Sequence, residues 1–111
     1  MLKNCTWHFD TKKVIRQFPE IVRKNVGLAL YVLQRGETPT NVKKLKGLSG
    51  AYEITVRGPD NTYRVVYAFI EKDSINVISA FVKKSKTGIK TPQSEIDKIR
   101  ERMKEIRGKP T

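Results

Sequence analysis

The chain has 111 residues, with 23 Lys and Arg against 11 Asp and Glu, a net charge of +12 and a pI near 10.0. This length suits one domain with one core over residues 1–111. No run approaches the roughly 18 apolar residues of a membrane-spanning helix, and the first residues lack the apolar region of a secretory signal. Cys5 is the single cysteine, which excludes an internal disulfide. We therefore expect a cytoplasmic protein with no membrane partner.

The charge excess indicates an acidic partner. Residues 83–111 are about a quarter of the chain and carry half of the net positive charge. An excess of this size on a small surface is more than solubility requires, and it is typical of proteins that bind a polyanion. A nucleic acid, an anionic membrane or an acidic protein would fit this charge, and of these we expect RNA.

The first third of the chain has the pattern of helices. Residues 6–9 predict a short leading strand or the lead-in to a helix capped by Asp10, and Pro19 then begins a second helix. Apolar residues recur along one face of that second helix, namely Val22, Val26, Ala29, Leu30 and Leu33. Gly36 ends it, and Gly27 within it indicates close packing against another element. These two helices predict an N-terminal helical hairpin.

The spacing of the apolar residues then changes from a period of about 3.6 residues, typical of a helix, to a period of 2, typical of a strand. Residues 52–57, 63–70 and 75–82 predict three strands joined by short turns, which gives an antiparallel meander. Residues 91–95 open a last helix, whose apolar face is Ile96, Ile99, Met103 and Ile106. The predicted class is α+β: a helical hairpin packed on a small antiparallel sheet, a C-terminal helix, and helices on one face of the sheet.

Metal and cofactor chemistry have little support. His8 and Cys5 cannot supply the three or four ligands of a zinc site, and no acidic cluster suggests magnesium. The chain also has no P-loop and no GxGxxG. A lone histidine such as His8 is most often structural. We expect a site that works without metal or cofactor.

Arg, Lys and Glu side chains meet on the predicted sheet. Glu53 and Arg57 share one face of their strand, and Arg64 stands across from that face on the next strand. Lys83 and Lys84 end the last strand beside it. RNA cleavage needs a base for the ribose 2′-OH, cations for the phosphate and an acid for the leaving 5′-oxygen. The spacing alone favours a simpler interpretation, in which Glu53, Arg57 and Arg64 form cross-strand ion pairs on an exposed face.

The run Lys83-Lys84-Ser85-Lys86 is different in kind. Lys90 and a basic helix face with Arg100, Lys104 and Arg107 follow it. Such a long series of positively charged side chains indicates contact with phosphate groups rather than a surface that is merely solvated. The residues that we expect to bind RNA are Arg57, Lys44, Lys46, Lys86 and Lys90.

Several short motifs, in this order along the chain, resemble the RelE/ParE toxin superfamily. They are Leu28-Ala29-Leu30-Tyr31, Gln34-x-Gly36-x-x-Pro39, Lys44-Leu45-Lys46-Gly47 and Tyr63-Arg64-Val65-Val66-Tyr67. The segments Ala80-Phe81-x-Lys83-Lys84-Ser85, Lys90-Thr91-Pro92 and Glu95-Ile96 are similar to its HigB-type, phage-associated branch. Each motif is short, but their order and spacing are specific, and they span residues 7–106.

The resemblance implies the toxin of a type II toxin–antitoxin pair. Its RelE-type members cleave mRNA on the ribosome, without metal, through a 2′,3′-cyclic phosphate. The implied partner is a HigA-like helix-turn-helix antitoxin, through which the toxin would reach operon DNA.

The resemblance also implies roles for single residues. Arg64 matches the arginine that stabilises the phosphate, and Lys83 and Lys84 match catalytic or RNA-positioning basic residues. Glu53 matches a glutamate that some members use as general base. Two positions depart from the family pattern: Ser79 stands where related toxins often have a histidine, and no Tyr or His follows Tyr67. The acid is therefore left to Lys83, Lys84 or a water molecule.

Two other functions stay open. A ParE-like toxin would inhibit DNA gyrase by contact alone and would not need Arg64, Glu53 and the lysines as a chemical set. A plain RNA-binding protein would bind RNA with steep salt dependence and show no toxicity.

Overall fold

The computed structural model describes residues 2–70, 74–84 and 91–108. Within these ranges the element order is β1 Asn4–Trp7, α1 Thr11–Arg16, α2 Glu20–Gln34, β2 Val42–Lys44, β3 Ala51–Arg57, β4 Asn61–Ala68, β5 Ser74–Lys84 and α3 Gln93–Gly108. The prediction of an α+β fold is confirmed. None of the described helices is long and apolar enough to span a membrane.

The strands form one sheet in the order β1-β5-β4-β3-β2. Strands β3 to β5 make the predicted antiparallel meander, and β2, which was not predicted as a strand, pairs antiparallel with β3. Strand β1 adds to the other edge of β5 in parallel, so that Asn4 pairs with Ser74 and Trp7 with Val77. The sheet is therefore mixed rather than antiparallel. Strand β1 supplies hydrogen bonds to an edge of the longest strand that would otherwise be open.

The sheet is covered on both faces, not on one as expected. On the first face, here called the α2 face, α1 and α2 bury apolar residues such as Val22 and Val26 against Ile54 and Val65 of the sheet. On the second, the α3 face, Ile99 and Met103 of α3 pack with Val66, Ile78 and Phe81. The reason lies in β4 and β5, which are buried on both sides and so need a cover on each.

Helix α2 forms as its pattern predicts, and all five residues of its predicted apolar face are buried. Gly36 follows its end with a positive φ of 85° and donates its N–H to the carbonyl of Leu33, as a C′ glycine does. The close packing predicted at Gly27 is wrong, because a Cβ there would meet nothing within 4 Å. Helix α1 has 6 residues and lies against β5, whereas α2 lies against β3. A helical hairpin therefore stays a prediction.

Arg102 anchors α3 to the rest of the fold. Its Nη1 donates to the carbonyl of Ile78 at 2.8 Å, and its Nη2 donates to Oδ1 of Asp10 at 3.2 Å. Its guanidinium also lies 4.8 Å from the ring centroid of Phe9. Asp10 is at the N-cap of α1 but makes no side-chain capping bond. Its carboxylate instead ties the start of α1 to α3 through Arg102.

Candidate functional site

The register of β3, β4 and β5 brings three of the predicted catalytic residues, Glu53, Arg64 and Lys83, to one face. Arg64 lies directly opposite Thr55 of β3, and Glu53 lies two residues earlier on that strand. Across the other side of β4, Arg64 pairs with Phe81, and Lys83 lies two residues further along β5. Because side chains alternate along a strand, these groups all lie on the α3 face.

Glu53 is at the centre of the contacts. Its side chain is 0% exposed, and its Oε1 accepts a hydrogen bond of 2.5 Å from Nη1 of Arg64. Nζ of Lys43 lies 3.8 Å from the same oxygen. The other oxygen, Oε2, accepts a hydrogen bond of 2.7 Å from Oγ1 of Thr91. The ion pair expected from the spacing exists, but it is buried rather than on an exposed face.

The Nε donor of Arg64 is distinctive within the part of the chain that the structure describes. The residue is 4% exposed, and its Nε is buried with no hydrogen-bond partner among the described residues. An unsatisfied buried donor costs free energy, and the guanidinium fork is suited to two parallel bonds to a phosphate. The arrangement therefore leaves the buried Nε of Arg64 without a described partner while Glu53 holds Nη1.

Lys83 has a pKa that is affected by the charges of Arg64, Glu53 and Lys43. It is 4% exposed, and burial lowers the pKa of its ammonium group, with the positive charges of Arg64 and Lys43 adding to the effect and Glu53 opposing it. A lowered pKa increases the neutral fraction of a lysine at a given pH. The ammonium form gives up its proton more easily and the neutral amine can accept one, so Lys83 is a candidate for proton transfer in either direction.

The other predicted RNA-binding residues lie elsewhere or outside the described ranges. Lys44 pairs with Tyr52, which places it on the α2 face, away from Glu53. Lys46 is exposed in the turn after β2, and Arg57 is exposed at the end of β3. The backbone of Lys84 ends β5. Lys86 and Lys90 lie outside the described residues.

Two residues of the site were missed by sequence reasoning. Lys43 pairs with Glu53 across β2 and β3, and strand alternation could have found it if the three residues of β2 had been assigned as a strand. Thr91 is 38 residues from Glu53 in sequence, and no local pattern connects them.

The basic face of α3 is partly compensated. Arg100 and Lys104 each lie within salt-bridge distance of a carboxylate on the same helix, at 3.2 Å from Asp97 and 3.5 Å from Glu101. With Arg107 they line a separate cavity of about 230 Å³ beside the turn at residues 47–49. The continuous positive charge inferred from the sequence is therefore interrupted on α3 by Asp97 and Glu101.

Ser79, which departs from the family pattern, and His8, the single histidine of the chain, have clear surroundings. Ser79 is fully buried, and its Oγ has no hydrogen-bond partner among the described residues. His8 is hydrogen-bonded through Nε2 to Oδ1 of Asn76 at 2.8 Å, which fits a structural role. Within the described ranges no three His, Cys, Asp or Glu side chains cluster as metal ligands would.

The chain matches the family model of phage-derived protein Gp49-like (DUF891) over residues 13–104. The chain belongs to this family. No functionally curated protein matches this Gp49-like protein significantly.

Solved structures agree with the family. A free-state E. coli toxin RelE with two arginines changed to alanine superposes with a TM-score of 0.64 at 26% identity, over 93% of this chain and 99% of that one. The toxin–antitoxin complex RelBE of E. coli gives 0.58 at 27% identity, over 76% and 99% of the two chains. The isolated E. coli RelE toxin, at 24% identity and a TM-score of 0.59 over 89% and 97%, supports the fold alone. Together these matches place the Gp49-like protein among the toxins of the RelE superfamily.

Proposed function

We propose that this Gp49-like protein is the toxin of a type II toxin–antitoxin pair and acts as a ribosome-dependent mRNA endoribonuclease. The observation that carries the proposal is Arg64, whose Nη1 is held by buried Glu53 while its Nε has no described partner. Lys83, with its lowered pKa, stands two residues beyond the partner of Arg64 on β5. A fixed cation beside a group able to transfer a proton suits phosphodiester cleavage.

The proposed reaction is an internal transfer at one phosphate. A base takes the proton of the ribose 2′-OH, and the 2′-oxygen forms a bond to phosphorus. The bond from phosphorus to the 5′-oxygen breaks, and an acid gives that oxygen a proton. The products are a 2′,3′-cyclic phosphate and a free 5′-OH. Arg64 stabilises the charge that grows on the phosphate oxygens, and Lys83 or Lys84 is the proposed source of the proton unless water supplies it.

Access to the site is limited in the free protein. Arg64 and Lys83 each expose only 4% of their surface. A phosphate can therefore reach the guanidinium only when neighbouring groups move aside. A requirement for the ribosome is consistent with this, because the ribosome can hold the mRNA while the site opens. The exposed cations Arg57, Lys44 and Lys46 would add affinity for RNA without taking part in the chemistry, and we extend this role to Lys86 and Lys90.

The proposed partner is an antitoxin with an acidic surface. A related toxin, E. coli RelE, is found in a toxin–antitoxin complex. The net charge of +12 favours association with an acidic protein as well as with RNA. We propose a HigA-like helix-turn-helix antitoxin, which would also carry the toxin to operon DNA, in the cytoplasm where the ribosomes are.

The test uses purified protein, bacterial ribosomes programmed with one defined mRNA, and mapping of new 5′ ends. We expect cleavage within codons, and a loss of at least about a hundredfold in Arg64→Ala, since a lost transition-state donor has effects of this size. An mRNA with one 2′-deoxynucleotide at the mapped position should resist cleavage there. Arg35→Ala is the matched control, because Arg35 is exposed just after α2, where its Nε lies 3.5 Å from Oε2 of Glu37.

Other results would change the assignment. Undiminished cleavage by Arg64→Ala would remove Arg64 from the chemistry. Cleavage of the deoxy-substituted mRNA would exclude attack by the 2′-oxygen. Inhibition of gyrase supercoiling, with no mRNA cleavage, would favour a ParE-like contact toxin instead.

A further inference from the structure

Glu53 is engaged at both carboxylate oxygens. Oε1 receives Nη1 of Arg64 and lies 3.8 Å from Nζ of Lys43, and Oε2 receives the hydroxyl of Thr91. The side chain is 0% exposed. These donors come from three different parts of the chain: β4, β2 and the segment that leads into α3.

These contacts do not suit a general base. A base must come within about 2.6–3.2 Å of the hydroxyl proton that it removes. For Glu53 to do so, it would have to give up the contact to Arg64 or the contact to Thr91 and also become exposed. Releasing Arg64 would leave its guanidinium without support during the step in which the guanidinium must stabilise the phosphate.

The contacts do suit an anchor. A single hydrogen bond at Nη1 leaves a guanidinium free to turn about its own bonds unless the acceptor is fixed. Here the acceptor is fixed, because Lys43 of β2 and Thr91 of the segment before α3 contact the carboxylate from two other parts of the chain. Catalytic groups need such support, since a misplacement of about 1 Å can lower a rate by about a hundredfold.

We propose that Glu53 is a positioning residue that holds Arg64 in place for the phosphate, and that Lys43 and Thr91 are positioning residues that hold Glu53. The inference rests on the proposed nuclease function and deepens it. It departs from the role of general base that the family resemblance implied for Glu53. It also makes the segment before α3 and the edge strand β2 part of the site, through one hydroxyl and one ammonium group.

The first experiment changes Thr91, which lies outside the sheet and is only partly buried. Cleavage of ribosome-bound mRNA is measured under single-turnover conditions for Thr91→Val and Thr91→Ser. We expect Thr91→Val to lower kcat about tenfold with little change in KM, the size expected for one lost hydrogen bond to a charged group. Thr91→Ser keeps the hydroxyl and should restore the rate. Thr38→Val, in the exposed loop after α2, is the control.

The second experiment separates an anchor from a base. Glu53→Gln keeps an oxygen that can accept from Arg64, whereas Glu53→Ala keeps none. We expect Glu53→Gln to retain cleavage within about tenfold of wild type, with the same pH profile of kcat, and Glu53→Ala to fall as far as Arg64→Ala. Circular dichroism confirms that each variant is folded at the assay temperature. A folded Glu53→Gln as inactive as Glu53→Ala would overturn the assignment.

A third readout does not depend on cleavage. The ¹⁵N resonances of the Arg64 guanidinium report how fast its nitrogens exchange by rotation. We expect slow rotation in wild type and Thr91→Ser, and faster rotation in Thr91→Val. If wild type cuts no mRNA, the proposed function fails, while this readout still decides whether Thr91 and Glu53 hold Arg64. Equal rotation rates and equal cleavage rates in wild type and Thr91→Val would reject the positioning role.

Discussion

The two faces of the sheet use the same strands in opposite ways. On the α2 face, Ile54 and Val65 are fully buried against helix residues that are apolar as well. Tyr67 also lies there, stacked on Tyr52 with ring centroids 5.4 Å apart, and burial raises the pKa of Tyr67 to about 12. This phenol therefore stays neutral over the physiological range, and the strand centre on this face is apolar.

The α3 face buries charge. Glu53, Arg64 and Lys83 are at most 4% exposed, and they lie beside the apolar cluster of Val66 and Phe81. Burying ion pairs rarely stabilises a protein, because the lost hydration offsets the attraction between the charges. One face of this sheet therefore supplies stability, and the other retains a charged cluster that stability alone does not require. Its presence is consistent with the function that we propose for Arg64 and Lys83.

The largest expected effect comes from breaking the charged cluster at one member. Glu53 and Ile54 are neighbours on β3, both 0% exposed, and point to opposite faces. We expect Glu53→Ala to lower the free energy of unfolding by about 3–5 kcal/mol, because it leaves buried cations without their counter-charge. Ile54→Val should lower it by only about 0.5–1.5 kcal/mol. Denaturant unfolding of both variants measures the difference. Equal losses would mean that the two faces are energetically alike.

A smaller change in stability is expected when both members of the pair are replaced. Glu53→Leu combined with Arg64→Met substitutes apolar groups of similar size, and such replacements of buried ion pairs are often neutral or stabilising by about 1–4 kcal/mol. We expect the free energy of unfolding to lie within about 1 kcal/mol of the wild-type value, or above it, as estimated for such replacements. We also expect complete loss of mRNA cleavage. A double variant as unstable as Glu53→Ala alone would show that the pair is needed for folding.

Much of the apolar face could be predicted from the sequence. The spacing of Val22, Val26 and Leu33 fixes which side of α2 is buried, since helix periodicity is a local property. The shared face of Glu53 and Arg64 also follows from local information, namely strand alternation and a short turn between β3 and β4. Their common side was therefore predicted correctly.

The burial of that pair could not be predicted. It depends on contacts from distant parts of the chain, such as the hydroxyl of Thr91 and the packing of Ile99 on the sheet. The parallel addition of β1 is of the same kind, because residues 4–7 pair with 74–77 and nothing between them signals it. The prediction that the helices cover only one face of the sheet was wrong for a related reason. Apolar residues on both sides of β4 and β5 suggested inner strands, but they also required a second helical cover.

The smallest effect concerns Lys83 and depends on pH. The pKa of Lys83 is lowered from its ordinary value of 10.5, first by burial and then by the charge of Arg64. Below the folded-state pKa, the protonated lysine is less favourable in the folded chain than in the unfolded chain, so it reduces stability. As the pH rises through that pKa towards 10.5 the folded form loses its proton first, and the penalty disappears. Lys83→Met removes the penalty at every pH.

The free energy of unfolding of Lys83→Met relative to wild type should therefore be greatest near pH 7. It should fall steadily as the pH approaches 10.5, the pKa of an ordinary lysine. Denaturant unfolding at several pH values gives this slope, which is more informative than the offset, because the offset also contains the packing of methionine. Lys24→Met, on the exposed side of α2, supplies the background for general charge effects. A difference that grows with pH would mean that Lys83 is stabilised in its charged form, and the α3 face would then hold a lysine poorly suited to accept a proton.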